Sequence, residues 1–229
     1  MSTRPSRSLN KDLEYHTSAW TGIVLAGGKS SRMGTDKSQL SLNGKTLIER
    51  ARDVVRQTLQ IAFGKVLDPE IYISGKYPGY VCIADDQPGM GPLGGIVSSA
   101  RFFNSMSLHV IDHQRCLLFV PVDMPFLRPS TLMPLVRALA EGNEDAALFK
   151  ELPLPFCLRA SDRVLRVLNQ LIRSDYDNKS QRAVGHFLAQ INCIEVNLLA
   201  EQANDMINVN TKEEWLRISG ALEKTRVRV

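Results

Sequence analysis

Gly22-Ile23-Val24-Leu25-Ala26-Gly27-Gly28 is the stretch on which the fold turns. It is a short unbroken apolar run that ends in paired glycines. A strand buried on both faces reads this way, and glycine directly behind it marks a turn at the strand's carboxyl end. A polar segment, Lys29 to Lys45, comes next. Thr46-Leu47-Ile48-Glu49 then has the spacing of a capping box, and Leu47, Ile48, Ala51, Val54, Val55 and Leu59 recur at helical intervals behind it.

The alternation of strand and helix continues outward from there. Ile71–Ser74 and Tyr80–Ala84 read as strands, and a helix is expected from Pro92, since proline suits a first turn. Cys116–Val122 is the clearest strand, with Pro121 confined to its end or to a bulge. A helix over Leu132–Leu139 follows, then strands at Ala146–Phe149 and Pro155–Leu158. Helices over Val164–Ile172 and Ala183–Leu188 and a strand at Cys193–Val196 come after them. Thr211-Lys212-Glu213-Glu214 caps a last helix whose apolar face would be Trp215, Leu216, Ile218 and Leu222. Strands alternating with helices predict an α/β fold: a single Rossmann-like domain over residues 21–229, with a mainly parallel, mixed sheet flanked by helices. Residues 1–20 are polar and unpatterned and are expected to form a disordered tail. Ser6-Arg7-Ser8-Leu9 lacks the second arginine and the apolar stretch of an export signal.

Composition narrows the class. The 229 residues are 44% hydrophobic and 23% charged, which excludes wholesale disorder, and no apolar run is long enough to span a membrane. The net charge of +4 suits a small polyanionic ligand and does not announce a nucleic-acid binder, nor do aromatics at 7% that are not interleaved with bases. Cys82, Cys116, Cys157 and Cys193 are far apart and form no metal or redox spacing. They are expected to be reduced thiols of a cytoplasmic protein.

In sheets of this kind ligands bind beyond the carboxyl ends of the strands. Gly27-Gly28-Lys29-Ser30-Ser31-Arg32-Met33-Gly34-Thr35-Asp36-Lys37 lies there. Its glycines let backbone N–H groups approach a ligand, and Arg32 and Lys37 add positive charge. The dinucleotide fingerprint G-x-G-x-x-G is absent. A Walker A loop fails because Ile23 stands where its first glycine belongs. Asp85-Asp86 and Asp123 close two further strands. A carboxylate facing phosphates is a natural Mg²⁺ ligand, although Asp at a strand end is also ordinary turn and cap chemistry. His109 and His113 are four apart but have no third ligand and no accompanying Glu, so a zinc site is not expected.

Leu25-Ala26-Gly27-Gly28, Arg32-Met33-Gly34, Asp36-Lys37 and Leu42-Asn43-Gly44-Lys45 resemble the opening signature of the molybdenum cofactor guanylyltransferases. Gly91-Pro92-Leu93-Gly94-Gly95, Pro121-Val122-Asp123-Met124-Pro125 and Asn208-Val209-Asn210-Thr211 resemble that family's later motifs, in order. The resemblance implies a nucleotidyltransferase domain that moves GMP from GTP to the terminal phosphate of molybdenum-loaded molybdopterin and releases pyrophosphate. Other proteins of molybdenum cofactor biosynthesis become candidate partners. It places nucleotide contacts on Leu25, Ala26, Gly27, Gly28, Lys37, Ser74, Asp85 and Asp123. It makes Arg32, Lys37 and Asp123 the catalytic group, with Mg²⁺ on Asp123. Pro155-Phe156 and Lys179–Arg182 resemble the region for the pterin. Ser74 departs from the family's asparagine, which is longer and pairs a donor with an acceptor. A cytidylyl or sugar-phosphate nucleotidyltransferase and an inactive nucleotide-binding protein are the alternatives.

Overall fold

The structure is a computed structural model that describes residues 20–27, 36–64, 68–86, 89–107, 115–173 and 183–226, the last seven of these by backbone alone. The expected tail therefore lies outside the described residues, except that Trp20 already belongs to the first strand.

Strand β1 (Trp20–Leu25) leads through a 3-10 turn (Lys37–Gln39) to a small hairpin, β2 (Ser41–Leu42) and β3 (Lys45–Thr46). Helix α1 (Leu47–Phe63) starts at the expected capping box: Thr46 Oγ1 accepts from the Glu49 N–H, and the Glu49 carboxylate accepts from the Thr46 N–H. Then come β4 (Ile71–Ser74), β5 (Cys82–Ile83), α2 (Pro92–Ser107), β6 (Cys116–Pro121) and α3 (Pro129–Glu141). The chain continues with β7 (Ala146–Phe149), β8 (Leu152–Arg159), α4 (Asp162–Arg173), α5 (Val184–Leu188) and β9 (Cys193–Val196). A second 3-10 segment (Ala200–Met206) and α6 (Lys212–Arg226) complete it.

Seven strands form one sheet in the order β5-β4-β1-β6-β8-β7-β9, and only β8 runs against the rest. The expected mainly parallel, mixed α/β sheet is thus the observed one. Alternate residues of the central strands serve two cores. Ile23, Leu25, Leu117 and Phe119 pack with α2, α4 and α5. Trp20, Val24, Leu118 and Val120 pack with α1 and α3 on the other face. Gly22 is what lets α1 come this close, because a Cβ there would collide with Val55.

Three expectations change. The strand at Tyr80–Ala84 shrinks to two residues, because it is the sheet's edge and Val81 is exposed. Leu216 is exposed on α6, whereas Trp215 does pack against the α1–α3 core. Phe156 is fully buried and stacked on Phe119 at 5.0 Å between ring centroids, and Pro155 is buried beside it, so this pair is core and offers no face to a pterin. Lys179–Arg182, His109 and His113 lie outside the described residues.

Candidate active site

Ile83, Ser74, Leu25 and Pro121 stand in one row across four parallel strands. Two residues beyond that row, on the carboxyl edge, come Asp85, Gly27 and Asp123. Strand order reverses at β1. The chain first adds β4 and β5 on one side, then crosses back to place β6 on the other. The crevice at such a reversal is where open α/β sheets bind ligands. With strands about 4.8 Å apart, Asp85 stands about 14 Å along the edge from Asp123, too far for the two to share one cation.

Lys37 and Asp123 meet although 86 residues separate them: Nζ lies 2.7 Å from Oδ2, and the side chains are 23% and 20% exposed. Local chemistry brings each one there. The Asp36 carboxylate accepts from the Ser38 N–H (3.0 Å) and hydroxyl (2.7 Å), which starts the 3-10 turn on which Lys37 rides. Asp123 follows the last residues of β6, where the Val122 N–H still donates to the Leu25 carbonyl (3.1 Å). The Asp123 carbonyl in turn accepts from the Val209 N–H (2.8 Å).

The segment behind Val209 contributes a second carboxylate. Glu214 accepts from the N–H groups of Asn210 (2.7 Å) and Thr211 (3.1 Å), while Thr211 Oγ1 accepts from the Glu214 N–H, which closes the cap of α6. Those N–H bonds, the Asn210 one first, hold its carboxyl below the ordinary range, and Arg217 and Lys37 add positive charge in the same direction.

Two arginines brace this arrangement. Arg50 on α1 donates from Nε (3.2 Å) and Nη2 (3.1 Å) to the Pro125 carbonyl and from Nη1 (3.4 Å) to the Leu42 carbonyl, joining the Asp123 turn to the hairpin behind Lys37. Arg128 Nε donates to both oxygens of the buried Asp205 (2.9 and 2.8 Å), which also accepts from the Thr131 hydroxyl. Pro134 inside α3 has no N–H for the Ser130 carbonyl four residues back, and Gln202 Nε2 approaches that carbonyl instead, at 3.4 Å. The stretch leading to Val209 is anchored in this way.

Leu25 and Ala26 are buried at the exit of β1, and Gly27 is exposed. Ser74 is 3% exposed and packs under α2, where a Cβ on Gly95 would collide with its hydroxyl. Asp85 is half-buried at the far end of the edge. Gly28 and Arg32 lie outside the described residues. Among the described residues no three His, Cys, Asp or Glu cluster as a metal site, and no helix is long and apolar enough to cross a membrane. Arg50, Asp205 and Glu214 were not foreseen. Of these, only Glu214 left a trace in the sequence, as the fourth residue of Thr211-Lys212-Glu213-Glu214.

Comparison with known proteins bears on the whole domain. A molybdenum cofactor guanylyltransferase of Xanthomonas euvesicatoria is 36% identical over 87% of this chain and 94% of its own. One of Sinorhizobium fredii is 32% identical over 85% and 90%. Among solved structures, molybdopterin-guanine dinucleotide biosynthesis protein A of Archaeoglobus fulgidus shares the fold with a TM-score of 0.63 at 19% identity, covering 89% of this chain and 99% of that one. A CMP:2-keto-3-deoxy-manno-octonic acid synthetase complexed with CTP shares it at 0.58 and 14%, over 90% and 99%. Residues 22–191, from β1 to the approach of β9, match the MobA-like NTP transferase domain, and the chain belongs to that family.

Proposed function

We propose that this protein transfers GMP from GTP to the terminal phosphate of molybdenum-loaded molybdopterin and releases pyrophosphate, in the cytoplasm. The observation that carries this reading is the Lys37–Asp123 pair at the sheet's reversal, in a chain with guanylyltransferase relatives of 36% and 32% identity. A phosphate oxygen of the pterin forms the new bond to the α-phosphorus of GTP, and the bond from that phosphorus to the bridging oxygen breaks, its electrons leaving with pyrophosphate. The attacking oxygen is already anionic, so no general base is needed. What remains for the protein is positioning and charge neutralisation.

Lys37, and Arg32 with it, offset charge on the triphosphate and on departing pyrophosphate. Mg²⁺ takes one or two carboxylates and completes its shell with water and phosphate oxygens, a demand that the part-buried Asp123 carboxylate at the sheet's edge fits; Asp123 would hold the ion, which would supply further neutralisation of phosphate charge. Nucleotide contacts are assigned to Leu25, Ala26, Gly27, Gly28 and Ser74. Asp85 is assigned the part of accepting from the donors of guanine that adenine lacks.

The test is pyrophosphate release with molybdenum-loaded molybdopterin and each of GTP, CTP, UTP and ATP, for wild type and Lys37→Ala. GTP is the expected substrate. Lys37→Ala is expected to stay folded and to lose about 10²-fold or more in turnover. A second reading, cytidylyl transfer, draws on the shared fold of the CTP-bound synthetase, and preference for CTP would replace the guanylyl assignment with it. GTP binding without turnover would leave a nucleotide-binding protein.

A further inference from the structure

We propose that Tyr77, on the loop between β4 and β5, is a positioning residue that aims the Gly27 N–H at the nucleotide; this rests on the reading that Ala26 and Gly27 meet it. The Tyr77 hydroxyl donates to the Ala26 carbonyl at 2.7 Å across 51 residues of sequence. A trans peptide unit is planar, and its C=O and N–H point in opposite directions. Fixing the Ala26 carbonyl on Tyr77 therefore turns the N–H of the next residue, Gly27, away from Tyr77. The ring packs against the α1–α3 core, so that N–H is turned off the α1 face. Gly27 is exposed, and the Ser74 carbonyl and hydroxyl stand 3.6 and 3.9 Å from where a Cβ on it would be.

Tyr77 is itself held. Its N–H donates to Cys82 Sγ, and that thiol approaches the Tyr77 carbonyl, both at 3.4 Å. The Tyr80 N–H donates to the same carbonyl (3.2 Å). Burial raises the pKa of the Tyr77 hydroxyl, so it keeps the proton it donates to the Ala26 carbonyl.

The experiment is Tyr77→Phe, which removes one oxygen and keeps the ring, in the full chain with Mg²⁺. Equilibrium binding uses whichever of GTP, CTP, ATP and UTP the wild type binds most tightly, GTP on the reading above. Dissociation constant and KM for that nucleotide are expected to rise between about fivefold and about a hundredfold, as for a carbonyl stripped of its donor, with a smaller change in kcat. A hydroxyl that only stabilises the fold would lower Tm and leave nucleotide affinity within about twofold of wild type, and that result overturns the proposal. The two failures separate cleanly: tight CTP binding that Tyr77→Phe weakens removes the guanylyl reading and keeps the latch. Unaltered GTP binding removes the latch and keeps the guanylyl reading. A wild type that binds none of the four removes both.

Discussion

Arg50→Met keeps a long unbranched side chain on α1 and removes three N–H donors from two carbonyls. Those carbonyls belong to Pro125, two residues past Asp123, and to Leu42, five past Lys37. The guanidinium is half-buried and the carbonyls can regain some water, so the loss is about 2–3 kcal/mol in total, near 1 per bond. For a domain of this size that lowers Tm by about 4–12 °C. The larger effect is on chemistry. Arg50 ties the Asp123 turn to the hairpin behind Lys37, and a shift of about 1 Å between reacting groups costs roughly 10² in rate. At a temperature where the variant is fully folded, kcat should fall by about 10- to 100-fold at saturating substrates. Arg50→Lys should recover part of Tm but little of kcat, because a lysine cannot fork to two carbonyls. Pyrophosphate release and thermal melting, run side by side, give both numbers. A lowered Tm with wild-type kcat per folded molecule would refute the reasoning and leave Arg50 a stabilising residue only.

Asp123→Asn should keep the fold and raise the Mg²⁺ midpoint of activity, since an amide is a poorer ligand for a hard cation; a metal titration with an unchanged midpoint and rate returns Asp123 to turn chemistry. Ser74→Asn must fit a longer side chain between Leu25 and Gly95 and should cost about 1–3 kcal/mol by overpacking, read by denaturant unfolding. Its effect on GTP affinity should stay at about tenfold or less, one hydrogen bond's worth, and a far larger gain would mean that Ser74 marks a change of substrate. Glu214 titrates below its ordinary 4.5 because the Asn210 and Thr211 N–H groups bond its charged form. That contribution is present above the unfolded value and is lost as pH falls through the lowered folded one. Glu214→Gln should therefore melt below wild type at neutral pH and converge with it in acid, and parallel melting curves at every pH would exclude the cap.

Most elements were legible because their burial is periodic or continuous. Ile71–Ser74, Ala146–Phe149 and Cys193–Val196 match their expected bounds, and Pro121 ends β6 as a residue without an N–H should. The reversed direction of β8 was not legible. The hairpin before it turns through Lys150 and Glu151, and Glu151 adopts φ +65° in place of the glycine or asparagine that usually announces such a turn. Lys37 and Asp123 were each visible from residue type at a strand exit, but only the sheet order makes them neighbours. Arg50 and Tyr77 left no mark, since both act on backbone carbonyls, which every residue carries. Ser74 looked like a polar group at a strand end, and the close approach of α2 at Gly95 is what buries it.

The place of β1 in the sheet bears on how the chain emerges from a ribosome. Its six residues are all buried, and its two partners, β4 and β6, end at Ser74 and Pro121. Once β4 is out, one edge of β1 can pair, while the other waits for the far side of α2 to be translated. At about 5–20 residues per second that wait lasts roughly 2–10 s. For that interval the nascent chain carries an apolar strand with a row of unpaired N–H and C=O groups, the template on which strands of other molecules add. Slower translation between codons 75 and 121 lengthens the exposure, so the yield of soluble protein should depend on codon choice in that window more than on codon choice after it.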